Sequence, residues 1–309
     1  MVLFLSFLFY FFDSDFLFSF IYTTFALDLG KLNYTYSNQS IHLDNVPNAR
    51  DIGGYRMPDG RTIKHGLLLR GGYLRDASEH DIRRLSEEYK LAYIFDFRTE
   101  GEVRHVPDCF IPGAQNIWMP TIDPETEKLS DSHLPPEAYR HLDTFLYKNS
   151  SDPLVQTVGR EMYPNLVHNE YTQLQYAAFL QTILKLPKAN VKGRGVYWHC
   201  SQGKDRTGLG SAFLLMALGA DFDLVLEDFA LSNEYYQKEV DELNEKIAAR
   251  GGTKADFDTV QAFVGVNVEN FIRTFDEIRQ RYGSLENYID DILLFSDADK
   301  ELLRNYYLE

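Results

Sequence analysis

The stretch from Val196 to Leu218 constrains the fold of this chain more than any other. It opens with the apolar run Val196–Trp198, which is typical of a buried strand, and continues through ten residues rich in Gly, Ser, Thr and charge. The almost purely apolar segment Leu209–Leu218 then predicts a buried helix, which Gly219 ends as a C-cap. A strand, a tight loop and a helix N-terminus aim backbone N–H groups at one point. Such a point binds an anion, and phosphate is the usual one.

Alternating strand and helix patterns predict the rest of the sheet. Apolar runs at Leu67–Leu69, Leu91–Phe97 and Asn116–Met119 indicate three further strands. Ser78–Asp81 is a capping-box-like helix start between the first two of them. This order predicts an α/β fold with a central, mostly parallel sheet flanked by helices.

The segment from Thr121 to about Asn169 differs in character, because it is acidic and polar and contains several prolines that act as helix breakers, Pro164 among them. A structureless loop of that length is unusual inside a compact domain, so we expect a helical, lid-like insertion over residues 121–169. Residues 27–309 are assigned to one domain that includes this insertion. Three further helical segments are predicted after it: Tyr171–Leu184, Asp223–Arg250 and a last helix from Ser296.

The composition excludes some classes of protein. A net charge of −15 over 309 residues argues against a nucleic-acid partner bound through a general basic surface. The two cysteines, Cys109 and Cys200, cannot form a disulfide framework, and their low number favours a reducing, cytoplasmic location. No cluster of His and Cys with metal-ligand spacing is present in the sequence, so neither a metal nor another cofactor is expected. The sequence does not indicate an oligomeric state.

Residues 1–26 are unlike the rest of the chain. They contain nine of its 22 phenylalanines and no Lys or Arg, while Asp13 and Asp15 divide them into two apolar halves. Each half is shorter than the roughly 20 residues of a membrane-spanning helix. Three interpretations stay open: a signal or membrane-associated segment, a hydrophobic helix packed on the domain, or an over-extended translation start. The first would mean membrane contact or secretion instead of a cytoplasmic location.

The loop contains the side chains for a nucleophilic reaction. Cys200 follows His199 and lies near Lys204 and Arg206, and such cationic surroundings at a helix N-terminus favour a thiolate. A thiolate at neutral pH is the nucleophile needed to attack phosphorus. Arg206 supplies a planar fork that can bind two phosphate oxygens at once. Cys200 and Arg206 are therefore the predicted catalytic pair.

The residues between this pair are predicted to surround the phosphate with their backbone amides, since Gly203 permits the turn. The Thr207 hydroxyl can donate to the Cys200 sulfur and steady it as a leaving group. Lys204 adds a second positive charge, which suits substrates with more than one phosphate. The predicted phosphate-binding set is Ser201, Gln202, Gly203, Lys204 and Thr207.

The leaving group also needs a proton. Gln173–Lys204 contains no Asp or Glu, so no acid lies shortly upstream of the loop. This absence favours Asp205, inside the loop, as the general acid and then as the base for water. Asp123 is the alternative, although it lies far upstream.

Other noticeable residues have structural interpretations. For Asp96, at the end of the strand Leu91–Phe97, we prefer a structural carboxylate that binds loop backbone or pairs with a nearby Arg. Gly53 and Gly54 indicate a tight turn, which is as consistent with a plain hairpin as with a functional loop. Cys109 is interpreted as a small buried hydrophobe. A phosphate-binding module without catalysis is the competing class of function.

With these residues in hand, the chain resembles the Cys-x5-Arg protein tyrosine phosphatase superfamily. More narrowly, it is similar to the atypical, mainly microbial tyrosine/serine phosphatases whose loop reads HCxxGKDRTG, matched here by HCSQGKDRTG. The resemblance runs from about Val46 to the C-terminus and does not include residues 1–26. Further matching phrases are NARDIGGY (Asn48–Tyr55), LLLRGGYL (Leu67–Leu74), FDFRTEGEV (Phe95–Val103), ALSNEYY (Ala230–Tyr236) and YGSLENYI (Tyr282–Ile289).

The resemblance implies a protein tyrosine phosphatase-like fold and hydrolysis of phosphate monoesters through a phosphocysteine, without a metal. It implies that Cys200 is the nucleophile, Arg206 the phosphate clamp and Asp205 the acid. Lys204 would favour phosphoinositides as well as phosphotyrosine proteins, with phosphoserine/threonine activity and a lipid-specific enzyme as alternatives. Four residues in or beside the matched phrases are predicted to support the site: His199, Asp51, Asp96 and Arg98.

Overall fold

A five-stranded sheet forms the centre of the computed structural model, which describes residues 39–125, 141–186 and 194–309. The strands lie in the order β1-β2-β5-β3-β4, and all neighbouring pairs are parallel except β1 with β2. The mostly parallel sheet predicted from the sequence is therefore confirmed. The strands are β1 (Arg50–Asp51), β2 (Leu68–Gly71), β3 (Tyr93–Asp96), β4 (Gln115–Trp118) and β5 (Val196–His199).

The register of the strands brings three carboxyl ends to the same edge of the sheet. Gly71 of β2 and Asp96 of β3 both lie opposite His199 of β5. Cys200 is the next residue after His199, so the loop predicted to bind an anion starts at this edge. The carboxyl edge of a parallel sheet is where α/β proteins place their ligands.

Helices cover the sheet and make up most of the C-terminal half. Two of them, α1 and α11, continue directly into π-helical turns, at Arg84–Glu88 and Tyr288–Ile292. The helices are α1 (Glu79–Arg83), α2 (Glu100–His105), α3 (Leu142–Asn149), α4 (Pro153–His168), α5 (Glu170–Lys185), α6 (Asp205–Leu218), α7 (Phe222–Ala230), α8 (Ser232–Ala249), α9 (Lys254–Phe263), α10 (Val268–Tyr282), α11 (Leu285–Asn287) and α12 (Asp297–Tyr307).

Local sequence signals set several of these boundaries. Ser78, Thr99 and Ser296 each form a capping box at the start of a helix, which satisfies backbone N–H groups of the first turn. Gly219 ends α6 in the left-handed conformation, with a φ of 100°, as the sequence predicts. The N-terminal end of α6 lies at Asp205, inside the polar part of the loop, so two of the loop's charged residues belong to the first turn of the helix.

The core beneath the loop is aromatic. The Trp198 side chain of β5 is fully buried, and its indole N–H donates to the Ser211 hydroxyl of α6 at 3.0 Å. Phe179 of α5 packs edge-on against Phe95 and lies beside Trp198, with ring centroids 5.2 and 5.7 Å away. Truncating such a ring to Ala typically costs about 3–5 kcal/mol, so this packing holds β5 and α6 firmly.

Two expectations about the helices are wrong. The run predicted over Asp223–Arg250 is two helices, α7 and α8, which meet at Leu231. Pro164 lies inside α4 instead of ending it. A proline has no N–H and leaves the carbonyl four residues earlier without its helical partner. Here the Arg273 guanidinium of α10 donates to the Arg160 carbonyl at 2.6 Å and replaces that hydrogen bond.

The insertion is helical where the structure describes it, as α3 and α4, and residues 126–140 lie outside the described part. The three interpretations of residues 1–26 also fall outside it. None of the helices in residues 39–125, 141–186 and 194–309 combines the length and the apolar composition that crossing a membrane would require.

Candidate active site

Cys200 lies at the bottom of the loop and is almost fully buried, with 2% of its surface exposed. Burial raises the pKa of its thiol, but the positive charge of Arg206 and the Thr207 hydroxyl outweigh burial, and the pKa lies below its ordinary value. The buried Thr207 hydroxyl has no oxygen or nitrogen partner among the described residues, so its hydrogen is available to the sulfur. The site therefore favours a thiolate.

The carbonyls of the loop are held from outside. Three successive peptide oxygens accept hydrogen bonds: Ser201 from the Tyr73 N–H (3.2 Å), Gln202 from the Tyr236 hydroxyl (2.6 Å), and Gly203 from Asn48 Nδ2 and Arg70 Nη2 (2.9 Å each). In a planar trans peptide the N–H points away from the C=O, and no peptide bond in the described residues is cis. The N–H groups of residues 202–204 consequently face the inner side of the loop. This orientation builds an anion-binding cradle.

Gly203 is the position where the loop cannot accept a side chain. Its φ is +67°, in the left-handed region that favours glycine. A Cβ here would lie 2.1 Å from the carbonyl carbon of Gly71, at the end of β2. The turn that the sequence assigned to Gly203 therefore depends on both its backbone angle and this close approach.

Glu102 holds the arginine of the loop. The two guanidinium nitrogens Nη1 and Nη2 of Arg206 donate to its two carboxylate oxygens at 2.6 and 2.7 Å, a bidentate pair. The Ser201 hydroxyl donates to the same carboxylate. Burial raises the pKa of Glu102, but Arg206 and Ser201 outweigh burial and lower it to about 2. Glu102 thus stays ionised and fixes the plane of Arg206.

The sequence interpretation did not single out Glu102, although it lies in the phrase FDFRTEGEV. Its backbone is set by the capping box of α2, in which the Glu102 N–H donates to the Thr99 hydroxyl and the Thr99 N–H donates to Glu102 Oε2. A glutamate in a capping box usually stabilises only the start of its own helix. The additional role of Glu102 is visible only in the folded structure, because its partner Arg206 lies 104 residues away in the chain.

Asp205 begins α6, and its carboxylate lies between two partners. The Tyr163 hydroxyl donates to Asp205 Oδ1 at 2.7 Å, and the Lys204 ammonium lies 3.6 Å from Oδ2. The side chain is 17% exposed, so it is accessible from solvent while its neighbours are buried. The Asp205 carboxylate lies in the first turn of α6, shortly after Cys200 in the chain, where the sequence interpretation expects the general acid.

Lys204 is a buried cation tied to backbone. Its ammonium donates to the carbonyls of Phe263 and Gly265 at 2.7 and 2.6 Å. Burial lowers its pKa, whereas Asp205 and Cys200 oppose that effect. The expected role of Lys204 as a charge for a second phosphate stays a prediction, and the structure shows that this ammonium already has two carbonyl acceptors.

His199, Asp96 and Arg98 form a buried cluster beneath the loop. Arg98 Nη2 donates to Asp96 at 2.7 Å and to Asp108 at 2.8 Å, which is the pairing with an arginine that the sequence favours for Asp96. His199 Nε2 lies 3.2 Å from Asp108, and Nδ1 lies 3.1 Å from the Cys200 carbonyl oxygen. Burial lowers the pKa of His199, but the two carboxylates outweigh burial and raise it. The cluster anchors the loop from below.

Two carboxylates named from the sequence lie elsewhere. Asp51 is not brought to the loop: its oxygens accept hydrogen bonds from the Gly53 and Gly66 N–H groups, both at 2.8 Å. It organises the Gly53–Gly54 turn and the start of β2, at the other end of that strand. Asp123, the alternative acid, follows β4 and accepts hydrogen bonds from the Glu125 N–H and the Asn169 amide.

Asp228 of α7 is a second residue that the sequence interpretation missed. It is buried and pairs with both Arg50 and Arg70, and it accepts the Tyr55 hydroxyl at 2.9 Å. Burial raises its pKa, but the two arginines outweigh burial and lower it. Because Arg70 also binds the Gly203 carbonyl, this network connects the phrase NARDIGGY to the loop.

A buried cysteine with a lowered thiol pKa, an arginine held by two hydrogen bonds and a glycine turn between them are the components expected of a Cys-x5-Arg loop. A family model described as the tyrosine phosphatase family matches residues 41–309, and the chain belongs to that family. It is accordingly a phosphatase. A protein of Cupriavidus necator assigned by inference as a tyrosine-protein phosphatase is 27% identical over 268 residues, covering 86% of this chain and 87% of that protein.

Two further proteins were found by comparison. The triple specificity protein phosphatase PtpB of Mycobacterium tuberculosis is 27% identical over 256 residues, covering 79% of this chain and 90% of its own. A crystal structure of PTPMT1 in complex with PI(5)P is 14% identical, covering 67% of this chain and 94% of its own, with a TM-score of 0.27.

Proposed function

We propose that Cys200 is the nucleophile in a two-step hydrolysis of phosphate monoesters. In the first step the thiolate attacks phosphorus, a P–S bond forms and the P–O bond to the leaving group breaks. Asp205 gives its proton to the leaving oxygen. Arg206, held by Glu102, and the amides of residues 202–204 stabilise the charge on the transferring group. The observation that carries this proposal is the buried Cys200 thiol, whose pKa is lowered by the charge of Arg206, an arginine that Glu102 holds with two hydrogen bonds.

The second step returns the enzyme to its starting state. Water attacks the phosphocysteine, Asp205 accepts a proton from that water, and the P–S bond breaks to release phosphate and the thiolate. Thr207 supports this step because its unpartnered hydroxyl can donate to the departing sulfur. No residue outside the loop and its supporting network is needed for the proton balance.

We further propose phosphotyrosine proteins as the main substrates. The tie between Lys204 and two backbone carbonyls supports this choice over phosphoinositides, because a second phosphate would have to displace those carbonyls. The name of the relative PtpB, a triple specificity protein phosphatase, supports testing phosphoserine and phosphothreonine as well. Relative turnover of phosphotyrosine, phosphoserine and phosphoinositide substrates decides between them, and faster turnover of a phosphoinositide would overturn the choice.

Cys200→Ser is the direct test of the nucleophile. We expect turnover of p-nitrophenyl phosphate to fall by at least about 10³-fold, since a serine hydroxyl stays protonated in this site, while binding of inorganic phosphate is retained. Cys109→Ser is the matched control, because it changes the other cysteine of the chain and leaves the loop intact. Both variants are assayed with a chelator present. Appreciable turnover by Cys200→Ser would refute the proposal.

A further inference from the structure

The hydroxyl of Tyr163 extends the site into the insertion. Tyr163 lies on α4, one residue before Pro164, and only 1% of its surface is exposed. Its hydroxyl donates to Asp205 Oδ1 at 2.7 Å, across 42 residues of chain. Nothing in the loop's own sequence predicts this contact, and the mechanism above does not use it.

We propose that Tyr163 is a positioning residue for the general acid: by donating to Oδ1 it holds the Asp205 carboxyl so that Oδ2 carries the proton transferred to the leaving group. This inference rests on the proposed role of Asp205. It gives the insertion a part in positioning the acid, and the lid-like role expected from the sequence of the insertion stays a prediction.

Two aromatic rings pack against the ring of Tyr163 and hold it in place. Phe229 of α7 and Phe271 of α10 lie edge-on to it, with centroids 5.6 and 6.1 Å away. Phe229 in turn packs against Gly208 of α6, where a Cβ would lie 2.8 Å from the ring. Because Gly208 is three residues from Asp205 on the same helix, the phenol and the carboxylate belong to one rigid unit.

The helix that carries Tyr163 is fastened to the C-terminal helices. Arg273 of α10 binds the Arg160 carbonyl, and Gly159 packs directly on Phe263 of α9, where a Cβ would lie 3.0 Å from the ring. The carbonyl of the same Phe263 accepts the Lys204 ammonium. The insertion and α9 therefore hold the residues on both sides of the Asp205 carboxylate.

The hydrogen-bond roles distinguish the two carboxyl oxygens. Burial and the charge of Asp205 raise the pKa of Tyr163 well above its ordinary value, so the phenol remains a donor and Oδ1 must be its acceptor. At 3.6 Å, the Lys204 ammonium is too far from Oδ2 for a hydrogen bond. Oδ2 is therefore the oxygen free to carry the proton.

Several other groups act on Asp205, and the test must account for them. The titratable and charged groups that face it are Cys200, Lys204 and Arg206 from the loop and α6, Tyr163 from α4, Tyr176 from α5 and Tyr236 from α8. All except Tyr163 are unchanged in a Tyr163→Phe variant. A difference between this variant and the wild type therefore reports the single hydroxyl.

Tyr163→Phe keeps the ring and its packing and removes only the donor. We expect kcat for phenyl phosphate, whose leaving group needs a proton, to fall about tenfold, a part of the whole effect of a general acid. We expect a smaller decrease for p-nitrophenyl phosphate and an unchanged KM for both. A lower kcat with an unchanged KM would show that the phenol acts on the chemical step and not on substrate binding.

Matched variants make the result decisive. Tyr307→Phe removes another buried tyrosine hydroxyl, one that lies away from the loop and donates to the Ile183 carbonyl at 3.1 Å. It should change neither kcat nor the dependence of kcat on the leaving group. Incorporating 3-fluorotyrosine at position 163 keeps the hydroxyl and strengthens it as a donor, and should change kcat for phenyl phosphate more than kcat for p-nitrophenyl phosphate. That substitution also provides the test if Tyr163→Phe fails to fold.

Asp205→Asn separates failure of this inference from failure of the proposed function. If Asp205→Asn shows the dependence on leaving group and Tyr163→Phe does not, the role of Tyr163 is overturned and the acid assignment stands. If Asp205→Asn shows no such dependence while Cys200→Ser is inactive, both the acid assignment and the role of Tyr163 are overturned. A kcat for phenyl phosphate that is the same in all position-163 variants as in the wild type also overturns the inference.

Discussion

Glu102→Gln tests whether Arg206 needs its carboxylate. The glutamine has the same shape but offers one acceptor oxygen, so it can keep one of the two charge-assisted hydrogen bonds at 2.6 and 2.7 Å and loses the other. A hydrogen bond to a charged group is worth about 1.5–3 kcal/mol. If that energy holds Arg206 in the orientation that binds the transferring phosphate, kcat/KM falls roughly 10- to 150-fold.

The same substitution changes stability in a way that depends on pH. Lowering the pKa of Glu102 from an ordinary 4.5 to about 2 corresponds to about 3 kcal/mol of unfolding free energy. Because the folded-state pKa is the lower one, this contribution is fully present above pH 4.5 and is lost as the pH falls towards 2. The wild type should therefore be more stable than the variant by about 3 kcal/mol at pH 7, and the difference should narrow by about 2 kcal/mol from pH 5 to pH 3.

The assays are steady-state kinetics with p-nitrophenyl phosphate and urea unfolding at several pH values. Glu100→Gln is the matched control, because Glu100 lies on the same helix and pairs with the exposed Arg104, and exposed pairs of this kind contribute at most about 1 kcal/mol. A kcat/KM within about twofold of the wild type for Glu102→Gln would refute the positioning of Arg206 by Glu102. A stability difference that stays constant between pH 5 and pH 3 would refute the electrostatic reasoning.

Two further predictions follow from the loop. Gly203→Ala should abolish measurable turnover, because a Cβ would lie 2.1 Å from the backbone of Gly71. Gly251→Ala is the control, since Gly251 has a similar φ of +82° but nothing within 4 Å of a Cβ. It should lower the free energy of unfolding by about 1–2 kcal/mol and leave activity unchanged. Equal turnover by the two variants would contradict this account. Iodoacetate should modify Cys200 at a lower pH than Cys109, because Arg206 lowers the pKa of the first thiol while burial and Asp108 raise that of the second. Peptide mass spectrometry measures both rates, and faster modification of Cys109 at pH 6 would disagree.

Much of the architecture follows from local patterns in the sequence. The apolar runs predict β2, β3 and β5 to within one or two residues at most ends, because a buried strand must be apolar on both faces. The mostly exposed β4 is predicted equally closely. Ser78 and Ser296 mark helix starts, because their side chains accept hydrogen bonds from backbone N–H groups of the first turn. Gly219 marks a helix end, because it adopts the left-handed conformation there. The prediction that Pro164 breaks a helix is wrong, because Arg273, which is distant in sequence, donates to the Arg160 carbonyl that the proline leaves without its helical partner.

The components of the chemistry proposed for the loop are also readable from its sequence. Cys200, Asp205 and Arg206 lie within seven residues, and a short loop between a strand and a helix can bring such neighbours to one point. The residues that orient them are not readable in this way. Lys204 shows the difference: its charge suggests a second phosphate contact, while its position is set by the carbonyls of Phe263 and Gly265.

The sequence alone therefore predicted β2 to β5, the loop after β5 and Cys200 as the proposed nucleophile, since these depend on patterns among near neighbours. The tertiary structure decided which distant groups hold that loop. Glu102 fixes Arg206, Asp228 anchors Arg50 and Arg70, and Tyr163 donates to Asp205. Each of these pairs joins residues from 42 to 178 positions apart, and only the folded chain brings them within hydrogen-bond distance.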